Sequence, residues 1–587
     1  MLKKWFIRNR KTDYREIAKE FGISEIVSKL LVNRDIIDKD SIKSFINPSY
    51  ENFHNPREMK DLVKGVRIMK QKIEEGKKIM VVGDYDVDGV ISLFELYTAL
   101  KRCSADVVYE IPDRIKDGYG INESIIDKAY DIGVDTIITC DNGIAAIDTI
   151  KHGKQLGMTI IVTDHHDIPF VETEGGTRKN ISSEADAIIN PKQEDCKYKF
   201  KLLCGAGVAF KFIEVLYEEM GIDKSEAYKF IEYTAIATVC DVVDLTSENR
   251  IFVKNGLELL NETSNLGLTE LIKVTGIENK EISVYHLGFV IGPSLNAAGR
   301  LDSAKKGVAL LLSDNQEEAA TLAKELHELN VQRKDITQQG VERAIEYIEN
   351  NKMMRDKVLV VYTPETHESI AGIVAGRIRE KYNLPTIVLT KAKDGVKGSA
   401  RSIEGYNMFE ELNKCKELLG RFGGHPMAAG LSLEEENILE LRKKLNNQTT
   451  LTDEDIIPKL YLDMQLPLEK INYDLINDLN TLEPFGKGNS KPLFGEKGVT
   501  VVRGTILGKN KNVLKLKMIM RNGIYIDGIY FGDIEEFENV ITDKYGIDEL
   551  NRLYNGNCRL KLDMVFYPSI NEFNGRVSIQ IVVENFR

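Results

Sequence analysis

The chain has 587 residues, 42% of them hydrophobic and 29% charged, with a formal net charge of -12 at pH 7 and seven cysteines. That length supports three or more domains with full cores, the composition excludes a disordered chain, and no stretch is apolar for long enough to cross a bilayer. The start, Met1-Leu2-Lys3-Lys4-Trp5-Phe6, lacks a signal peptide's apolar core, and the cysteines include no CxxC pair, so a cytoplasmic protein with reduced thiols and no membrane is expected. The negative balance does not exclude a nucleic-acid partner, because acid clusters that hold cations inflate it and local patches matter more than the sum.

Residues 1–76 read as short helices, with apolar positions at helical spacing around Ile17, Phe21, Ile26, Leu30 and Leu31 and a longer amphipathic run from Met59 to Ile73. They are expected to form a helical layer packed on the domain that follows. From Lys78 the pattern changes to βα units. Ile79 to Val82 is a strand, Val90 to Leu100 a helix, and Asp106 to Glu110 a second strand leading into the glycine-punctuated loop 112–120, which contains Arg114. Asp135 to Thr139 forms a strand ending in Cys140-Asp141-Asn142-Gly143, and Met158 to Val162 one ending in Thr163-Asp164-His165-His166.

Between the first strand and its helix lies Gly83-Asp84-Tyr85-Asp86-Val87-Asp88-Gly89, with three acids at alternate positions. Carboxylates so placed repel one another unless cations neutralise them, and hard divalent ions prefer such oxygen ligands. An EF-hand would need spaced acids and a closing glutamate, which this run lacks. In a parallel sheet, groups at the carboxyl ends of neighbouring strands meet in one crevice, so Asp84, Asp86, Asp88, Asp141, His165 and His166 are expected to converge. A polar insertion from Glu172 to Glu184 follows, then the small-residue run Cys204-Gly205-Ala206-Gly207, then a helix from Ser225 to Val239 that delivers Asp241 as a further candidate ligand.

In order and spacing, Asp84-Tyr85-Asp86-Val87-Asp88-Gly89, Asp141-Asn142-Gly143, Asp164-His165-His166, Asp241 and Gly292-Pro293-Ser294-Leu295-Asn296-Ala297-Ala298-Gly299-Arg300-Leu301 resemble the RecJ-type single-stranded-DNA exonucleases of the DHH phosphoesterase superfamily. The resemblance covers nearly the whole chain. It implies two divalent ions, manganese or magnesium, held by Asp84, Asp86, Asp88, Asp141, His165 and Asp241, with Asp141 bridging and His166 orienting substrate or a proton; Asp141, His165 and His166 are the catalytic candidates. Phosphodiester hydrolysis needs an activated water and neutralised phosphate charge, which paired divalent ions supply, and oxygen-rich ligation favours manganese or magnesium over a cysteine-held zinc.

Asn315 to Tyr347 reads as one long connecting helix, with Gly340 a weak point in its middle. Beyond it, Lys357 to Tyr362, Ile370 to Tyr382 and Thr386 to Thr390 form a second α/β unit. Its Gly398-Ser399-Ala400-Arg401-Ser402 and Gly423-Gly424-His425-Pro426 resemble the DHH-associated substrate-binding domain. Arg114, Arg300, Arg377, Ser399, Arg401 and His425 are the candidates for contacting phosphate or nucleic acid, since a guanidinium fork matches phosphate oxygens and glycines let backbone amides approach. Two departures stand out: Ser294 where the family usually has arginine, and a segment 364–369 without the usual tryptophan and glycine beside His367.

After the turn at Glu483-Pro484-Phe485-Gly486 the chain becomes all-β from Val499, with strict alternation over Val513 to Met518 and hairpin turns at Asn522-Gly523 and Asn574-Gly575. An OB-like barrel is expected, with Lys509, Lys511, Lys515, Lys517, Tyr525, Tyr530 and Phe531 available to a single strand. The expected fold class is thus two α/β domains, DHH and DHH-associated, joined by a long helix and followed by the OB-like domain, with boundaries at 1–76, 77–312, 313–352, 353–455 and 456–587. By resemblance, the chain is a metal-dependent exodeoxyribonuclease that degrades single-stranded DNA from 5' to 3' to nucleoside 5'-monophosphates in recombination and repair. It would act as a monomer, with a single-strand-binding protein and a helicase as further partners. The rival readings are a phosphodiesterase of short RNA oligomers or cyclic dinucleotides, an inorganic pyrophosphatase, and a non-catalytic DNA-binding replication factor.

Overall fold

The computed structural model describes residues 3–172, 178–393, 395–508, 510–573 and 575–587. They divide into two compact units, one of Asn47–Leu451 with Gly486–Gly488, the other of Met1–Ile46, Thr452–Phe485 and Asn489–Arg587. Among the described residues no helix is long and apolar enough to cross a membrane.

The first unit begins with a five-stranded parallel sheet in the order Asp106–Glu110, Lys78–Val82, Thr136–Cys140, Thr159–Thr163, Ala187–Ile189. Its strands are apolar on both rows because both faces are covered. Ile79, Val81, Ile138 and Ile161 join a core with the helices Val87–Arg102 and Gly205–Glu219. Met80, Val82, Ile137 and Ile160 join another with Ile125, Ile126 and Ile150 from the helices Glu123–Asp131 and Ile147–Gln155. From Lys78–Val82 the chain goes first to one neighbouring strand and then to the other, and this reversal opens a crevice at the strands' carboxyl ends.

The helix Gln316–Asn350 leads to a second sheet, ordered Phe422–His425, Ala428–Leu433, Val396–Arg401, Thr386–Lys391, Leu359–Tyr362, parallel only in its last pair. Gly340 does not interrupt that helix. It is buried there, and a Cβ would stand 2.9 Å from Val374 Cγ2 on the helix Ala371–Tyr382, so the lost helix propensity accompanies a close helix–helix approach.

The second unit contains a closed barrel. Met464–Gln465, Phe494–Leu507, Val513–Ile519, Tyr525–Tyr530, Arg576–Phe586 and Leu560–Phe573 pair in that order, and the last returns to Phe494–Leu507. Two helices that sequence patterning did not reveal, Ile534–Tyr545 and Ile547–Asn555, lie between the third and fourth long strands. The Asn522-Gly523 hairpin is present, with Gly523 at φ 82°; Asn574 and Lys509 lie outside the described residues.

The N-terminal layer departs from expectation. Only its later part, with Met59, Leu62, Val66 and Met69, packs on the parallel sheet. Val27, Leu30, Leu31, Ile42 and Phe45 instead share a core with Leu475, Leu479, Leu482 and Phe494 of the barrel unit, and Lys4–Ile7, which falls in the stretch read as short helices, is a strand parallel to Lys459–Leu462. The physical reason is that helical periodicity exposes an apolar face but says nothing of which distant segment covers it.

Candidate metal centre and anion pocket

Asp84 follows the strand Lys78–Val82, Asp86 caps the helix Val87–Arg102 by accepting from Gly89 N at 3.1 Å, and Asp88 sits in that helix's first turn. Asp141 follows Thr136–Cys140, His165 and His166 follow Thr159–Thr163, and Asp241 ends the helix Ile231–Cys240. The structure brings all seven together. In each of the sets Asp84/Asp86/Asp141, Asp88/His165/Asp241 and Asp141/His165/His166, one ligand atom per residue lies within 4.8 Å of the others. Asp141 and His165 each belong to two sets, so the sets adjoin.

His165 Nε2 is 3.1 Å from Asp141 Oδ1 and 3.7 Å from both Asp88 Oδ2 and Asp241 Oδ2. Asp84 Oδ2, Asp141 Oδ1 and His165 Nε2 are buried without a hydrogen-bond partner. Buried polar atoms are nearly always satisfied, and lone pairs left facing one another in an oxygen-rich setting fit divalent cations. The backbone is shaped to the same end. Asp141 has φ 61°, a left-handed conformation rare outside glycine, and its carbonyl accepts from Tyr119 Oη at 2.8 Å. Side chains at Gly89 or Gly205 would come within 2.5 Å of Asp84 N and 2.6 Å of Asp141 Cβ. Asp88 is fixed at the start of Gly205–Glu219, where it accepts from Gly205 N at 2.6 Å and Ala206 N at 2.8 Å.

Burial, then repulsion from neighbouring carboxylates, pushes Asp84, Asp141 and Asp241 well above the usual carboxylate range and Asp88 up to about 6. Burial and the charge of His166 lower His165 to about 3, so its ring is neutral and suited to ligation. Asp164 has another part. It accepts from Ile144 N, His165 N, His166 N and His166 Nδ1 at 2.7 to 3.0 Å. Burial opposes its charge, but the bond and charge of His166 win and hold it at about 2. Burial likewise opposes charge on His166, yet Asp164 raises that ring to about 9. Tyr119 Oη also reaches the His166 ring, 3.1 Å from Nδ1 and 3.2 Å from Nε2.

A pocket of about 240 Å³ opens between the two α/β domains, lined by Tyr85, Arg114, Ser369, Lys397, Gly398 and Ser399 among others. Arg114 stacks 4.6 Å over the Tyr85 ring, and Arg300 donates to Ser369 O at 2.7 Å. Burial, then the charges of Arg114 and Arg333, lower Arg300 to about 9. Arg401 lies against the start of Ala371–Tyr382, where a Cβ at Gly372 would meet its Nη2 at 2.9 Å. His425 is exposed at the end of the strand Phe422–His425, and partial burial, then the charge of Arg401, outweigh Asp167 and lower its ring below the usual value. Arg377 is exposed, 3.7 Å from Glu380, and its charge acts, after burial, to lower Arg333.

Sequence reasoning missed Tyr85, Tyr119, Lys397 and Arg333. The loop Gly118-Tyr119-Gly120 was a usable signal for Tyr119, since only glycines at φ 83° and 72° carry the chain around that ring. On the barrel, Tyr530, expected as a platform, is buried against Phe537 and Phe586, because register places it opposite Leu514 on the inward row. Lys515 pairs with Asp527 at 2.8 Å, while Lys517 lies over Tyr525, and Tyr525 and Phe531 are exposed.

Models of the DHH family N-terminal domain, the DHHA1 domain and the RecJ OB domain match residues 78–238, 355–450 and 462–585. The chain is 35% identical to the single-stranded-DNA-specific exonuclease RecJ of Bacillus subtilis (strain 168), over 99% of this chain and 70% of that one. It is 33% identical to RecJ of Escherichia coli (strain K12), over 90% of each. The chain belongs to the RecJ family. The crystal structure of RecJ in complex with Mn2+ from Thermus thermophilus superposes on 100% of this chain and 79% of that one with a TM-score of 0.81 at 24% identity, which shows that the RecJ fold is shared. In this RecJ-family chain Ser294, at the position where arginine is usual, is buried and bonds Val290 O and Asn330 Nδ2. Asn330 in turn holds Arg333, so a guanidinium still reaches the neighbourhood of Arg300 from another helix.

Proposed function

We infer that this chain is a metal-dependent exonuclease specific for single-stranded DNA, serving recombination and repair and using manganese or magnesium. The observation that carries the chemistry is the set of buried, unpartnered ligand atoms Asp84 Oδ2, Asp141 Oδ1 and His165 Nε2, facing one another at the end of a parallel sheet. Asp84, Asp86 and Asp141 would hold one ion, and Asp88, His165 and Asp241 a second, with Asp141 shared. Bound there, two divalent ions activate water and neutralise charge on the phosphodiester.

The chain's own groups do the rest. His166, charged at neutral pH and tied to Asp164, donates a hydrogen bond or a proton to the phosphate or its leaving oxygen, and Tyr119 fixes its ring. Arg114, Arg300, Ser399 and Arg401 receive the 5'-terminal phosphate, so that cleavage releases nucleoside 5'-monophosphates in the 5'-to-3' direction. His425 contacts the nucleotide from the facing strand. Arg377 is assigned a weaker contact, since Glu380 already pairs with it. The proposed domains are 77–312, which would carry the metals, and 353–455, and the anion pocket is lined from both, by Tyr85 and Arg114 of the first and Ser369, Lys397 and Ser399 of the second. The seven cysteines are free, which supports a reducing compartment, the cytoplasm. A monomer working with a single-strand-binding protein and a helicase completes the proposal.

The test is manganese-dependent digestion of an oligonucleotide labelled at its 5' or its 3' end, single-stranded or as a blunt duplex, beside Asp141→Ala. Prompt release of labelled mononucleotide from the 5'-labelled single strand alone, and none by the variant, is the expected result. Survival of the long strand while dinucleotides or cyclic dinucleotides disappear would overturn it in favour of a small-substrate phosphodiesterase.

A further inference from the structure

One exposed face of the barrel unit joins aromatic rings to cations. Lys4–Ile7 pairs in parallel with Lys459–Leu462, with Lys4 opposite Lys459 and Phe6 opposite Tyr461. Successive side chains point to opposite faces, so Lys4, Phe6, Lys459 and Tyr461 share one face, and Trp5, Ile7, Leu460 and Leu462 the other, where Ile7 at the strand's end is exposed. The second face is anchored: Leu462 is buried, Trp5 Nε1 donates to Asn585 Oδ1 at 2.8 Å, and the Arg587 guanidinium lies 4.3 Å over the indole. The first face meets solvent. Phe6 is 43% and Tyr461 42% exposed, their ring centroids are 5.6 Å apart at a tilt of 30°, and the Arg8 guanidinium lies 5.8 Å from the Tyr461 centroid. Lys4 meets Glu454 at 2.9 Å, but both are well exposed, and such pairs open at little cost.

We propose that this face is a stacking site for a single strand of nucleic acid, built of residues other than those of the metal centre and of the barrel's lysine row. Bases offer π-faces to Phe6 and Tyr461, and the backbone offers anions to Arg8, Lys4 and Lys459. An apolar protein partner would strip water from those cations without returning a counter-charge. A polyanion is the better complement, and the concentration of cations is notable on a chain of net charge -12. The choice of ligand rests on the exonuclease reading.

The experiment uses the full chain. In chelator, where no strand is cut, affinity for an oligothymidylate of about 40 nucleotides should fall about tenfold or more in Phe6→Ala with Tyr461→Ala, since one base–aromatic stack contributes about 1–3 kcal/mol. Tyr461→Phe, which keeps the ring, should bind as the parent does. With manganese, kcat on a pentanucleotide should be unchanged in both, and loss of that activity in the parent itself would sink the exonuclease reading rather than this one. Photocrosslinks from a 5-bromouracil strand should map to Phe6 or Tyr461. Unchanged affinity with crosslinks elsewhere overturns the proposal, as does an effect of the variants on self-association alone, which would make the face a protein contact.

Discussion

Asn330 Oδ1 accepts two hydrogen bonds from Arg333, from Nε at 3.1 Å and Nη2 at 2.9 Å, while Asn330 Nδ2 donates to the buried Ser294 Oγ at 3.1 Å. A serine where relatives of this chain usually carry arginine is thus the footing for an arginine supplied by the connecting helix. Asn330→Ala should release that guanidinium and weaken strand binding about tenfold, because hydrogen bonds to charged groups contribute about 1.5–3 kcal/mol. The effect should lie in KM, with kcat on saturating strand nearly unchanged and a shallower dependence of binding on salt. Arg333→Ala should match it, and the double variant should add nothing further.

Asp141→Asn should reduce cleavage by about a hundred- to a thousandfold, by analogy with removing one strong electrostatic partner of a transition state. In chelator it should also raise Tm at alkaline pH, where the parent's Asp141 ionises against its acidic neighbours. The stabilisation that manganese gives the parent should shrink in the variant, which differential scanning fluorimetry reads directly.

In chelator the parent should lose stability as pH rises. Asp84, Asp88, Asp141 and Asp241 bind protons more tightly folded than unfolded, since their folded values lie above the ordinary carboxylate range. The unfolded chain therefore releases them first, and stability falls from the ordinary range upward through the folded values, about 6 for Asp88. Saturating manganese should flatten that slope. A Tm in chelator that rises between pH 4 and 6 would count against mutual repulsion as the dominant charge effect at this site.

Glu110 behaves in the opposite sense. Burial opposes its charge, but hydrogen bonds from Lys128 and Lys305 hold it net below its usual value. Its contribution to stability is present above about pH 4.5, the ordinary glutamate value, and is lost as pH falls through the depressed folded value. Glu110→Gln should cost about 1–3 kcal/mol at pH 7, measured by urea unfolding, and the cost should shrink in acid.

Glycines at the centre make a paired test. Gly89→Ala, whose Cβ would meet Asp84 N and O at 2.5 Å, should destabilise by about 1–3 kcal/mol and lower manganese affinity. Gly376→Ala, mid-helix with open space around it, should stabilise by about 0.5–1 kcal/mol and leave metal binding alone.

The strand, loop and helix cap of the acidic run Val81 to Gly89 were legible because they are local and the alternating acids mark the loop themselves. Arg333 was not, since Arg333, Lys334 and Arg343 look alike along a charged helix, and only the packing against Ser294 shows which one turns inward. Tyr530 could have been read correctly, because the alternation that buries Leu514 and Leu516 places it on the same row through the hairpin register. The destination of the first three helices could not, as Leu30 and Leu31 meet Leu479 and Phe494 across most of the sequence.

That last pairing has a consequence for biosynthesis. Lys4 leaves the ribosome before both α/β domains, and its backbone partner Lys459 follows only after they have been made. At about 5–20 residues per second, Trp5, Phe6 and the apolar face around Leu30 wait roughly 20–90 s for their partners. During that interval the nascent chain carries an uncovered greasy leader ahead of a nuclease core that can already fold, and this is the period in which a chaperone that holds extended segments has most to protect.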